Sequence, residues 1–342
     1  MSYPDIISDL RKLSAGEKPS RIPLMPLGLD FNRRVFGLSY HENRTDLDKI
    51  VRMNCDAANR FGYDWALVFP DDYVEWEPLG LEMTNYEDQP AAVKKYLPAT
   101  PDTIKNMVFP DPSTDGRMPI QLEAIRQIKE NLGDSVAVAG RIATPFSAIG
   151  LLFGVQELLM SPYENPDLLK EGLEKICDFI IEWGIAQQKA GADILWFGDC
   201  LSSSAFISPK LMADFSIPYS QKIAEELRKN GVFLIYHACE KSIEHIKLEL
   251  TLPVDAVNLG DGVDLPEVRR ITGSRTCLSG NLDPVSNLRD ATPDEIYKTT
   301  AKMFERNRET DAYIFCTSEG ITENTPVENV DAMMAAARKC AV

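Results

Sequence analysis

The run Val232-Phe-Leu-Ile-Tyr-His-Ala-Cys239 decides how this chain is read. Its first five residues are apolar without interruption, the signature of a strand buried on both faces. Side chains on a strand repeat every two residues. His237 and Cys239 are therefore expected on one face, with Cα atoms about 6.6 Å apart. An imidazole and a thiolate so placed suit a single Zn²⁺. The alternative role for the pair is a packed histidine beside a buried cysteine. The chain has only 3 histidines, so one at a strand end carries information.

Outward from this strand the same pattern recurs. Apolar runs at Ile22–Leu27, Trp65–Phe69, Val136–Ala139, Ile194–Phe197, Ala256–Leu259, Thr276–Leu278 and Ala312–Phe315 bring the expected strands to eight. Helix-period segments fall between or after them: Thr45–Arg60, Ile120–Asn131, Asp167–Ala190, Pro209–Lys229, Pro293–Arg306 and Pro326–Arg338. Ser208-Pro209, Thr292-Pro293 and Thr325-Pro326 read as N-caps followed by proline in the first turn. Strands alternating with helices imply parallel strands joined by right-handed crossovers. Eight of them favour one α/β domain over residues 1–342, a closed (β/α)₈ TIM barrel. The stretch 73–119 breaks the rhythm. It follows the second strand, is rich in proline and reads as a lid or substrate wall.

Composition narrows the partners. A formal charge of −16 and a pI near 4.7 oppose binding to nucleic acid or to an anionic membrane. No apolar segment reaches the length of a membrane span, and the start of the chain has no signal-peptide pattern. The 7 cysteines are odd in number and scattered, which fits reduced thiols in a cytoplasmic protein.

In a barrel of this kind the chemistry sits at the C-terminal ends of the strands. Those ends carry Asp71 and Asp72, Arg141, Asp199, His237 and Cys239, Asp261, Asn281 and Asp283, then Cys316 and Glu319. Individually they have ordinary roles. Asp72 could cap a turn, Arg141 could pair with a carboxylate, and Asn281-Leu-Asp283-Pro284 reads as an Asx turn. As a set they form a polar ring able to hold a metal. His237 and Cys239 supply two ligands; Cys316, Glu319 or Asp261 would add a third, and Cys200 is a further candidate at the mouth.

The chain resembles the uroporphyrinogen decarboxylase superfamily, and within it the zinc-dependent corrinoid methyltransferases: methylcobamide:coenzyme M methyltransferases and O-demethylase methyltransferases. The likeness runs through Arg21-Ile-Pro-Leu-Met25, Gly140-Arg-Ile-Ala-Thr-Pro-Phe-Ser147 and Gly191-Ala-Asp-Ile-Leu-Trp-Phe-Gly-Asp199. It continues through Ile207-Ser-Pro209, Ile217-Pro-Tyr219, His237-Ala-Cys239, Ser279-Gly-Asn-Leu-Asp-Pro284 and Thr325-Pro-Val-Glu-Asn-Val330. The resemblance implies that His237 and Cys239 bind Zn²⁺ together with a distant cysteine. Counting back from Thr325-Pro326, that position falls on Glu319, with Cys316 three residues earlier, so the third ligand is one or the other. Asp261 falls where a displaceable acidic ligand can occur. Glu240 stands where a glycine usually follows the His-x-Cys pair. The Arg-rich segment that holds substrate carboxylates in the decarboxylases has no match in Pro26–Arg34.

The implied activity is methyl transfer between a small molecule and the cobalt of a corrinoid (cobalamin) carried by a partner protein. The small molecule is a methyl ether, such as a methoxylated aromatic, or a thiol, such as coenzyme M. A carboxylate in place of a thiolate makes zinc a harder Lewis acid, which leans towards O-demethylation. Asp199, Asp72 and Arg141 would orient substrate or relay protons. The rival readings are a metal-free decarboxylase and a non-catalytic corrinoid-binding barrel with structural zinc.

Overall fold

A computed structural model describes residues 3–308 and 312–341. Seven strands form one curled parallel sheet in sequence order: β1 (Trp65–Leu67), β2 (Ala137–Ala143), β3 (Ile194–Gly198), β4 (Phe233–His237), β5 (Ala256–Asn258), β6 (Cys277–Leu282) and β7 (Tyr313–Thr317). β2, β4 and β7 are buried along their whole length, as their largely apolar sequences favour. The expected strand at Ile22–Leu27 differs: it is a single parallel bridge, Leu24 to Phe315. Met25 N donates to Phe315 O at 2.8 Å, and Asp64 N donates to Leu24 O at 2.9 Å. This short segment thus touches backbone groups next to both outer strands. Three prolines, Pro19, Pro23 and Pro26, restrict a longer ladder because each lacks an N–H.

The helices follow the predicted segments with informative exceptions. Thr292 and Glu295 form a reciprocal capping box. Ser208 caps its helix through Leu211 N. Thr325 does not cap: Pro326 occupies the N-cap position of helix Val327–Cys340, and the Thr325 hydroxyl pairs with that of Thr322. The expected helix Pro209–Lys229 is two helices, Pro209–Phe215 and Ile217–Lys229. Pro218 explains the break, since it has no N–H for the preceding turn and biases its predecessor away from helical geometry. Stretch 73–119 contains a 3₁₀ turn at Glu77–Leu79, an antiparallel pair of Glu82–Met83 with Val93–Lys95, and helix Pro101–Asn106. Among the described residues no helix is long and apolar enough to cross a membrane.

One glycine shows how tightly the sheet is backed. Gln187, fully buried on helix Pro166–Ala190, accepts from Arg141 N at 3.0 Å and donates to Arg141 O at 2.9 Å. A Cβ on Gly140 would lie 2.1 Å from Gln187 Oε1. The missing side chain therefore lets an amide hold the backbone of Arg141 beyond the end of β1. Gly140→Ala should reduce unfolding free energy by about 1–3 kcal/mol through overpacking. Urea titration is the check, and an unchanged midpoint would contradict this account.

Candidate metal centre and cavity

The register sets His237 directly beside Asn258 of β5. His237 Nδ1–H donates to Asn258 Oδ1 at 2.9 Å. The amide orientation follows from its other end: Asn258 Nδ2 approaches Ser279 Oγ at 3.3 Å and Thr317 O at 3.4 Å, and a carbonyl can only accept. Asn258 thereby fixes the tautomer, leaving Nε2 directed at the cluster. Such an outer hydrogen bond is the usual way a metal-binding imidazole is oriented. Trp196 packs on the ring with centroids 4.7 Å apart.

Nε2 of His237 lies 3.6 Å from Glu319 Oε1. Cys200 completes a group whose ligand atoms all lie within 4.8 Å of one another. Burial alone would lower the His237 pKa, but Cys200 and Glu319 outweigh it and hold the imidazole well above its usual range. Negative partners that favour a proton at Nε2 would also favour a cation there. Tetrahedral zinc with bonds near 2.05 Å separates N and O donors by roughly 3.4 Å, so the His237–Glu319 spacing fits. The donor set of imidazole, thiol and carboxylate is one that zinc accepts.

Cys239 lies beside Glu319 but outside the three-residue group, placed there by a route the strand pattern does not give. β4 ends at His237, and Cys239 has φ +55°, in the left-handed region. Its thiol hydrogen-bonds with Glu319, and burial, with Glu319 beside it, raises its pKa strongly. The turn is held from below: Gly260 N donates to Glu240 O at 2.9 Å. A Cβ on Gly260 would sit 2.8 Å from Cys239 O. A left-handed non-glycine residue costs of order 1–3 kcal/mol and persists only where its surroundings enforce it.

Two buried carboxylates, neither a donor to the cluster, hold the loops around it. Asp199 is 0% exposed and accepts from five hydroxyls: Thr144 and Ser147 on one oxygen, Ser202, Ser216 and Tyr236 on the other. Burial raises its pKa, and these hydroxyls oppose the rise. Asp199 does not line the cavity, contrary to a role in touching substrate. Ser216 reaches it from the helix break before Pro218. Glu240 accepts from Ser204 N and Oγ, both at 2.6 Å, and from Lys241 N at 2.6 Å. It joins the loop after β3 to the turn after β4. Burial raises its pKa, but these donors outweigh it, and the net shift is downward.

The remaining sequence candidates fall in different places. Cys316 is buried in β7, near Ser279 and Asn258, and its thiol is pushed up to about 12 by burial. It belongs neither to the three-residue group nor to the cavity wall. Asp261 pairs with Lys241 at 2.8 Å, also outside the group. Asp283 accepts from Val285 N at 2.8 Å, the expected Asx turn, and Asn281 donates to Gly260 O at 2.7 Å. Asp71 binds Arg117 at 2.9 Å. Asn258, Glu240 and Glu75 were not singled out as site residues by sequence reasoning.

The cluster opens on a cavity of about 370 Å³. His237, Cys200 and Glu319 lie on its wall, with apolar and aromatic neighbours including Phe69, Trp196 and Leu201. Tyr73 and Tyr96 bring stretch 73–119 to the same wall. Arg141 also lines the cavity, 5.2 Å from the Phe69 ring centroid. It donates to Glu75 at 2.9 Å and to Asp72. Glu75 is 2% exposed, and burial, opposed by Arg141, pushes its pKa up to about 7. Arg33 and Arg34, from the segment where the decarboxylases carry their arginines, bind Glu323 and Thr325 O and do not line the cavity.

The sequence profile of the uroporphyrinogen decarboxylase (URO-D) family matches residues 8–340. The chain belongs to the uroporphyrinogen decarboxylase family. Among its relatives in that family is a methylated-thiol–coenzyme M methyltransferase of Methanosarcina mazei, 24% identical over 69% of this chain; the match spans 62% of that relative's length. The methylcobamide:CoM methyltransferase MtbA of the same organism is 23% identical, with 88% of this chain and 87% of that protein covered. A uroporphyrinogen decarboxylase of Psychromonas ingrahamii is 25% identical over 82% of this chain and 80% of its own. The solved structure of a methyltransferase from Methanosarcina mazei superposes with a TM-score of 0.88 at 20% identity, covering 99% of both chains. The fold is therefore that of a URO-D-type methyltransferase.

Two outcomes follow from this geometry. Asn258→Ala should weaken zinc binding by about 10–100-fold in a chelator competition, because the imidazole loses its orienting partner; unchanged affinity would contradict the assigned role. Glu75 has a folded pKa above its unfolded value. The folded state then holds more protons between about 4.5 and about 7, and this group's contribution to stability is lost as pH rises through that window. Glu75→Gln should remove that part of the slope in denaturant titrations run from pH 4.5 to 7.5.

Proposed function

We propose that this protein is a zinc-dependent methyltransferase that moves a methyl group between a small-molecule heteroatom and the cobalt of a corrinoid on a partner protein. The observation that carries the reading is the group of Cys200, His237 and Glu319 facing a largely apolar cavity. The methyltransferase relatives support the same chemistry. Residues 22–27 would complete the barrel around one domain, and stretch 73–119 would serve as its lid. Free cysteines and acidic composition suit the cytoplasm.

Zinc held by His237 and Glu319, with Cys239 beside Glu319, would supply a Lewis acid that stabilises negative charge on the heteroatom losing or gaining the methyl group. The protein's own part is positional. Asn258 takes up Nδ1–H of His237, so that Nε2 is the ring nitrogen left for an ion. Glu319, with its side chain 46% exposed, faces the cavity and is the donor best placed to give way to substrate. Phe69, Trp196 and Leu201 exclude water around the reacting group. Tyr73 and Tyr96 would move aside to admit the corrinoid.

The cavity favours an uncharged methyl ether, such as a methoxylated aromatic. Arg141 is the one arginine or lysine among the described residues lining it, and Asp72 and Glu75 already hold it. A sulfonate would find no free basic partner, whereas an aromatic ring would find aromatic walls. A thiol substrate is the second reading, favoured by the second cysteine beside the cluster.

The test mixes the protein with reduced corrinoid and a panel of methoxyarenes, methylamines and thiols, and follows the cobalt visible spectrum. Methyl transfer should occur with a methoxyarene, and His237→Ala and Cys239→Ala should each abolish it with loss of zinc. Full activity in either variant would refute the site. Porphyrinogen decarboxylation by metal-free protein would establish the decarboxylase rival. Unfolding on chelation, rather than loss of activity alone, would establish a structural metal.

A further inference from the structure

Position 319 holds a carboxylate where the family resemblance implies a sulfur. The missing thiol has a substitute nearby. We infer that Cys200, on the loop after β3, is a metal ligand of this chain and restores a two-sulfur site with Cys239. The inference rests on the zinc reading above and adds a donor that the His-x-Cys pattern does not contain.

Three observations carry it. The ligand atoms of Cys200, His237 and Glu319 converge within 4.8 Å, and among the described residues this is the group that could hold an ion. The loop bearing Cys200 is fixed on both sides. Asp199 before it is locked by five hydroxyls and by its N–H to His237 O at 2.7 Å, and Ser204 after it is locked by Glu240. So much buried hydrogen bonding around an exposed cysteine specifies where its sulfur stands. The competing sulfur is elsewhere: Cys316 is enclosed in β7 beside Ser279. Cys239 stands beside Glu319, outside the three-residue group, as the second sulfur within reach. The donors are then one nitrogen, two sulfurs and one carboxylate oxygen, drawn from the ends of three strands. Two thiolates leave the carboxylate as the hardest donor, the one that an incoming substrate atom replaces.

The test uses the full chain, free of corrinoid, loaded with cobalt(II) chloride in place of zinc. Thiolate-to-cobalt charge-transfer absorption counts the sulfur donors. Cys200→Ser and Cys239→Ser should each lose about half of the wild-type band, the double variant should lose all of it, and Cys316→Ser should leave it unchanged. An undiminished band in Cys200→Ser overturns the inference. X-ray absorption at the zinc edge of the unmutated protein gives the same count without a substitution: two sulfurs at about 2.3 Å are expected, and one sulfur overturns it. A wild-type chain that binds neither ion overturns the zinc reading as well. Wild-type binding that Cys200→Ser leaves intact overturns this inference alone.

Discussion

A carboxylate sealed away from water must find its hydrogen bonds in the protein or give up its charge. Two such groups, Asp199 and Glu240, set the geometry of this site. Each takes its donors from more than one element. Asp199 gathers hydroxyls from the segment after β2, the loop after β3, the helix break at Ser216 and the end of β4. Glu240 binds the loop after β3 to the turn after β4. With both satisfied, the segment between them has little freedom, and Cys200 within it faces His237. Neither carboxylate needs to approach an ion or a substrate to decide where the donors stand.

Much of the architecture was legible because strand burial writes itself into residue type. Ala137–Ala143 and Phe233–His237 are enclosed on both faces, and their sequences leave no other option. The positions at strand ends were legible for the same reason, since His237, Arg141 and Glu319 directly follow or interrupt apolar runs. What the pattern could not give was the direction of side chains beyond the last ladder residue. Cys239 was expected to share a face with His237 by pleat alone; it leaves the strand through a left-handed turn whose shape depends on Gly260, distant in sequence. Cys316 was an attractive ligand by chemistry, but alternation along β7 turns it towards Ser279. The start of the chain misled differently: an apolar run punctuated by prolines looks like a strand and makes one bridge.

The family contains decarboxylases and methyltransferases on one scaffold, so the fold does not choose between them. The choice lies in a few side chains. Arg33 and Arg34 are spent on Glu323 and a loop carbonyl, outside the cavity. Arg141, the basic group that does reach the cavity, arrives with its own counter-ions. A site so arranged is poorly suited to a substrate with many carboxylates. Glu240, at the position where the resemblance implies a glycine, also acquires a physical sense: its side chain supplies the clamp between two loops.

The scattered origin of the donors governs how the mature protein is made. Cys200, His237 and Glu319 sit on segments that meet only once the parallel sheet has curled through β7, the seventh of its strands in sequence. On the zinc reading proposed above, an unfolded chain would offer the ion isolated side chains and little affinity, so loading would follow folding. By mass action, an ion that recognises the finished arrangement alone also lowers the population of unfolded molecules. On that reading, metal supply would bear on how long the folded protein persists as well as on its chemistry.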